Sequence, residues 1–299
     1  MSVRGRQLLA VALSGLALGA DERSREPVDA SGPRYRVIAF AGPTGDQAHV
    51  SFVGEAQRWL GERARERKFA FTWSTNWAEL NPETLARQDV VMFLNARPEA
   101  VAARDAFRRY MEAGGAWVGF HFAAFALTPS AVPQNWDWYH VELLGAGACA
   151  GNTWKPTAAV LRVEAPQHPV MAGLPATFQS APNEWYKWVG DLRHNPAVQV
   201  LVSIDPASFP LGTGPKAHEI WHAGDYPVVW THRKYRMVYF NMGHDDMDYG
   251  QRPPRAVSSS FASPEQNRMV MNALEWLGGL SGVKSRHSTI GPGKEPGGA

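Results

Sequence analysis

Four residues stand where apolar runs give out, and each is of a type that handles protons or metal ions near neutral pH. His49 follows YRVIAF in the stretch AGPTGDQAHVSF, and His121 ends GAWVGF. His244 follows MVYFNMG and precedes Asp245 and Asp246, while Glu184 lies among aromatic residues in SAPNEWYKW. A histidine changes charge near pH 6.5, so it can give or take a proton, and its neutral ring can bind a metal. In such a set His121 and His244 would be acid/base or ligand groups, Glu184 a general base or hydroxyl acceptor, and His49 a supporting polar group. A divalent metal is a second use of the same residues. His49, His121 and His244 would hold it, although their long separations match no compact motif such as H-E-x-x-H. Taken singly, each residue also has an ordinary reading as a hydrogen-bonded structural group, and Asp245 and Asp246 read as turn caps. Their joint position at strand ends is what points to a site, because ligands of open α/β sheets bind beyond the carboxyl ends of the strands.

The elements that must position these groups alternate between strand and helix, the pattern of a layered α/β domain with a mostly parallel sheet. A first strand starts at Tyr35. SFVGEAQRWLGERARER then places Phe52, Val53, Ala56, Trp59, Leu60 and Ala64 on one helical face, with charges opposite. FAFTWS and DVVMFLN read as the next strands, with a short helix between them capped by Asn81 and opened by Pro82. A further helix carries Phe107, Tyr110 and Met111 and stops at Gly114-Gly115, just before the strand that enters His121. TAAVLRVE and AVQVLVSI are later strands, and YPVVWTHRKYRMVYFNMGHDD reads as a hairpin. Ser263 and Gln266 form a capping box for a last helix. The segment 127–156 is too long and aromatic for a plain connection and reads as a cover over a site. His168 begins a turn ahead of Pro169, and His222 has no clear place.

Composition narrows the class. The chain has 299 residues, 44% hydrophobic and 19% charged, as expected of a folded globular protein. Its net charge is +2 with basic residues spread along the chain, which calls for no nucleic-acid partner. The single cysteine, Cys149, excludes an intramolecular disulfide and an all-cysteine metal site. No G-x-S-x-G elbow, P-loop or G-x-G-x-x-G follows the early strands, so nucleotide binding is disfavoured. Residues 1–20 carry Arg4 and Arg6, an apolar run from Leu8 to Leu18 and then small residues, the layout of a signal peptide. That run is too short for an integral membrane span, and a secreted or periplasmic location is expected. Residues 281–299 are rich in Gly, Pro, Ser and Lys and are expected to be a disordered tail.

Five stretches together resemble the ThuA-like (trehalose utilisation) family: RRYMEAGGAWVGFHFAAF, WDWYHVELLGAG, VEAPQHPVMAGLPATF, NEWY and YPVVWTHRKYRMVYFNMGHDD, in the family's order. The resemblance implies a ThuA-like domain over residues 33–280. It also implies a three-layer αβα sandwich, flavodoxin-like and similar to class I glutamine amidotransferases. Those amidotransferases carry a cysteine nucleophile where His121 stands, so thiol-based amide hydrolysis is not expected. A small-molecule sugar is the implied substrate: trehalose, another disaccharide or a 3-keto glycoside, handled by His121, Glu184 and His244. Trp136, Trp138, Tyr139, Trp154, Trp185 and Tyr186 would then stack on sugar faces, with His49, Asp245 and Asp246 as polar contacts. A carbohydrate-binding protein without turnover and a metal-assisted hydrolase are the alternatives on the same fold. The sequence departs from the family pattern at Ala48, where arginine often precedes the first histidine, and at Lys155-Pro156, where a His-Pro pair is usual.

Overall fold

The first strand, Arg36–Ala41 (β1), is buried at every residue but Arg36, as its Val, Ile and Phe content demands of a central strand. These contacts come from a computed structural model that describes residues 32–42, 44–127, 136–153, 156–208 and 224–279. The expected leader and tail lie outside the described residues, as do Trp154, Lys155 and His222.

After β1, Asp46 caps helix α1 (Gln47–Arg67) by accepting a hydrogen bond from the Ala48 amide. Arg65 and Arg67 lie in its last turn, where the helix dipole favours positive charge. Phe52, Ala56, Leu60 and Ala64 repeat every fourth residue and form its buried stripe, with Val53 and Trp59 packed at the margin. The chain continues through β2 (Ala70–Ser74), the short α2 (Pro82–Leu85, capped by Asn81), β3 (Val90–Leu94), α3 (Val101–Glu112) and β4 (Ala116–Phe120). Then come β5 (Cys149–Asn152), β6 (Val160–Val163), β7 (Thr177–Gln179), β8 (Tyr186–Trp188), β9 (Val198–Ile204), β10 (Pro227–His232) and β11 (Arg236–Phe240). Two short strands, β12 (Met247–Asp248) and β13 (Arg255–Ala256), precede helix α4 (Pro264–Leu277).

Nine strands form one sheet in the order β2-β1-β3-β4-β11-β10-β9-β6-β7. The first five are mutually parallel, and from β11 outward every pairing is antiparallel. The parallel half, with β11 as its fifth strand, therefore has the flavodoxin-like order, and the rest is an antiparallel wing grown through the β10–β11 hairpin. Helices α1 and α4 supply one core layer, with Phe52, Leu60, Met269 and Leu274 fully buried. On the other face Phe107 and Met111 of α3 join Trp117, Trp138 and Tyr139. No helix among the described residues is long and apolar enough to cross a membrane.

Two local expectations gain detail. Ser263 caps α4 through the Gln266 amide, but the Gln266 carboxamide does not complete a capping box. It accepts from the Ala181 amide and contacts Met242 sulfur instead, tying the helix start to the segment before Glu184. His168 does open a turn: its Nδ1 accepts from the Val170 amide at the head of a short 3-10 helix over Pro169–Met171.

Candidate functional site

The carboxyl ends of β1, β4 and β11 bring His49, His121 and His244 together although they are far apart in sequence. His49 lies in the first turn of α1, three residues past the Asp46 cap. His121 leaves β4 at φ 44°, a left-handed conformation that a side-chain-bearing residue adopts only when its surroundings impose it. Gly243, at φ 142°, makes that possible: a Cβ there would lie 2.7 Å from the His121 Cβ and 3.1 Å from Asn95 Oδ1. Ring centroids of His49 and His121 are 5.2 Å apart, of His49 and His244 5.0 Å, and of His121 and His244 5.5 Å. Glu184 enters from the loop before β8, with Oε2 3.4 Å from His121 Nε2 and 4.0 Å from His244 Nε2. All four side chains are buried.

Asp46 is the fifth member, and the sequence reading had not assigned it to the site. Its Oδ2 lies 3.7 Å from His244 Nε2, while Oδ1 accepts from the Ala48 amide and the Tyr249 hydroxyl. The available signal was its spacing: an N-cap aspartate three residues before a histidine puts both at one helix mouth.

A second layer fixes the first. His121 Nδ1 donates to the Asn241 carbonyl at 3.0 Å, and the Tyr186 ring stacks on the imidazole at 4.1 Å. The Asn241 carboxamide in turn bonds both the N–H and the C=O of Tyr186, which locks β8 to the end of β11. Asn183 Oδ1 accepts from the Gly243 amide, with the Ser260 hydroxyl oxygen 3.2 Å away. These two asparagines are invisible as site residues in sequence, since each acts through another residue's backbone.

Environment separates the three histidines. Burial, with the neighbouring His121 and His244 next, pushes His49 down to about 2. Burial also lowers His121, against the opposing pull of Glu184. At His244 burial acts in the same direction, but the Asp46 hydrogen bond and the Glu184 and Asp46 charges outweigh it, so its pKa is raised. Asp46 is held well below the usual carboxylate range, chiefly by His244. One cluster thus sets an imidazole whose charged form is favoured beside two whose neutral form is favoured, the separation that acid/base chemistry uses. His49, His121 and Glu184, or Asp46, His49 and His244, place one donor atom each within 4.8 Å of one another and are the sets that could hold a metal ion.

A cavity of about 470 Å³ adjoins the cluster, lined by Thr44, Trp77, Asn95, Arg97, Glu99 and Phe122 among others. Thr44 Oγ1 lies 3.4 Å from His49 Nδ1, and Phe122 packs 5.0 Å from the His49 ring. The cavity is bounded by the segments leaving β1 and β3, the switch point where flavodoxin-like sheets bind ligands.

The remaining expected contact residues are placed differently. Tyr139 is fully buried, donates its hydroxyl to the Ala123 carbonyl, and packs with Phe93, Phe107 and Trp117. Half-buried Trp136 stacks on Tyr139, and Trp138 is buried in the same cluster, so Trp138 and Tyr139 form core under the sheet and do not offer faces to a sugar. They sit at a π-helical turn over Trp138–Leu143, whose irregular period hides the inward face. Trp185 is buried too, its indole N–H donating to the Thr157 carbonyl, and it anchors the loop segment that carries Glu184. Tyr186 reaches the cluster as the ring stacked on His121. Asp245 turns away to accept from the Ser260 amide and hydroxyl. Asp246 accepts from the Met247 amide at the start of β12.

The chain has known relatives. Residues 36–277 match the family model described as ThuA, trehalose utilisation. A ThuA-like protein from Bacteroides uniformis, known by its crystal structure, is 34% identical over 84% of this chain and 95% of its own, with a TM-score of 0.72. Another, from Parabacteroides merdae, is 16% identical over 82% of this chain and 90% of its own, with a TM-score of 0.56, and supports the fold alone. No curated protein matches the chain. With the family model spanning the whole sheet and every residue of the cluster, the chain belongs to the ThuA family, whose role is carbohydrate-related.

Proposed function

We propose that this protein is a sugar-processing enzyme that binds a disaccharide or its 3-keto form in the cavity between β1 and β3 and transfers protons through Glu184 and His244. The observation that carries this reading is the convergence of four sequence-distant ionisable residues beside a cavity at the switch point. Trp77 offers an apolar face for a sugar ring, and Asn95, Arg97 and Glu99 offer polar groups for its hydroxyls.

On a 3-keto sugar the step balances as an enolisation. Glu184 takes the proton from the carbon beside the carbonyl, and that C–H electron pair forms the new C=C bond. The carbonyl π pair takes the proton given by His244, leaving an enediol, a protonated Glu184 and a neutral His244. Asp46 and Glu184 favour the charged form of His244 that lies beside both, which suits it to the donor role. This reading uses no cysteine: His121 follows directly after β4, and Cys149 lies on β5 with Sγ directed at the Gly151 carbonyl.

The test is a turnover screen of trehalose, other disaccharides and their 3-keto forms with wild type, Glu184→Gln and His244→Asn. Consumption of one sugar class that both substitutions slow by about 100-fold or more supports the reading. Sugar binding with no turnover in any variant overturns it in favour of a recognition protein.

A further inference from the structure

The contact between His121 and Glu184 is not explained by the protein alone. The Asn241 carbonyl can only accept, so His121 Nδ1 carries the hydrogen in their 3.0 Å contact. In a neutral ring Nε2 then presents a lone pair, and it faces Glu184 Oε2, also an acceptor, at 3.4 Å. A proton between them would draw a charge-assisted bond to about 2.7–2.9 Å. Two ligands of one tetrahedral ion, with bonds of about 2.0–2.1 Å, stand about 3.4 Å apart, which is the observed separation. Histidine ligands also characteristically donate their other ring N–H to a backbone carbonyl, as His121 does to Asn241.

His49 supplies an independent observation. It is 5% exposed, and its Nε2 is buried with no hydrogen-bond partner among the described residues. One of its ring nitrogens lies within 4.8 Å of donor atoms of both His121 and Glu184. We infer that His49, His121 and Glu184 bind a divalent first-row transition ion, with His244 and Asp46 beside its open coordination positions. Two imidazoles and one carboxylate suit zinc, manganese, iron or cobalt rather than magnesium or calcium, which prefer all-oxygen shells. Three protein ligands leave at least one position open, the arrangement of a catalytic and not a structural metal. Ion binding draws the three donors inward and gives each buried acceptor a partner.

The ion does not rest on the sugar reading: a Glu184 carboxylate that holds the metal through Oε2 keeps only its other oxygen for the base role proposed above, and the metal test needs no substrate. The full chain, free of any affinity tag, is stripped with chelator, dialysed against Zn2+, Mn2+ or Co2+ in turn, and assayed for bound metal. About one equivalent per chain is expected for at least one ion, with affinity at least about 100-fold weaker in Glu184→Gln. His194→Ala, which removes an exposed histidine paired with Asp191, leaves binding unchanged. Because His121 is fully buried and its replacement by alanine endangers folding, a crystal grown from the wild type and soaked in Zn2+ provides the second measurement: an anomalous peak bonded to His49, His121 and Glu184. Substoichiometric metal for all three ions, wild-type affinity in Glu184→Gln, or a peak elsewhere overturns the inference. A chain that binds none of the ions yet turns over a sugar loses the metal and keeps the sugar enzyme, whereas tight metal binding without turnover of any sugar does the reverse.

Discussion

Replacing Gly243 with alanine tests whether His121 is held in a strained position by tight packing. The added Cβ would lie 2.7 Å from the His121 Cβ, whereas carbons in contact keep about 3.5–4.0 Å, so one of the two must move by about 1 Å. Overpacking of this kind costs about 1–3 kcal/mol. The backbone at φ 142° adds strain of about 1–3 kcal/mol for any residue with a side chain. Together these are about 2–6 kcal/mol, and at about 2–4 °C per kcal/mol for a domain of this size a fall in Tm of about 4–24 °C is expected. If His121 yields instead of the backbone, turnover drops by about 100-fold, the usual consequence of a 1 Å misplacement. Gly114→Ala is the control: it also has positive φ, at 91°, but its Cβ would meet nothing within 4 Å. It should lose about 1 kcal/mol and keep full activity. Thermal unfolding and steady-state turnover of both variants separate the effects. Wild-type stability and activity in Gly243→Ala would refute the claim that close packing against glycine positions His121.

Three further outcomes follow from other parts of the molecule. Burial, with the Asp245 charge next, raises Glu55 from the ordinary 4.5 to about 7. The folded protein therefore keeps a proton that the unfolded chain releases, so this group's stabilisation is full below about pH 4.5 and is lost as pH rises to about 7. Discounted for partial exposure, the loss is about 1 kcal/mol, and Glu55→Gln should remove that slope from Tm measured between pH 5 and 7.5. Tyr139→Phe leaves the Ala123 carbonyl without its buried donor, costing about 1–2 kcal/mol without changing sugar affinity; weaker sugar binding at unchanged stability would return Tyr139 to the binding surface. Trp77→Ala removes an aromatic face of the cavity and should raise KM about 10-fold with a smaller change in kcat, and an unchanged KM would move the sugar out of this cavity.

Much of the parallel half of the fold can be read from local pattern. Apolar runs such as VVMFL are buried throughout, and the caps at Asn81 and Ser263 fall where side-chain chemistry places them. Strand order and the antiparallel wing are not local properties, because β9 pairs with β10 and β6 through contacts that no period reveals. In the site, the three histidines were legible because each follows a strand of the sheet. Glu184 was legible only as a polar group among aromatics. Asp46 was not legible as a site residue: it caps α1, and only the fold shows that the same carboxylate also faces His244. The left-handed turn at His121 depends on Gly243, more than a hundred residues away, and leaves no mark near His121 itself. The aromatic run around Trp138 and Tyr139 looked like a sugar platform because composition carries no information about which face turns inward.

The most direct test of proton transfer at this cluster is solvent deuterium exchange into a 3-keto disaccharide, followed by proton NMR in D2O. Wild-type protein should erase the signal of the hydrogen beside the carbonyl, and Glu184→Gln should slow that loss by about 100-fold or more. A bound keto sugar that keeps this hydrogen in the presence of wild-type protein, or exchanges it equally fast with Glu184→Gln, would contradict the account.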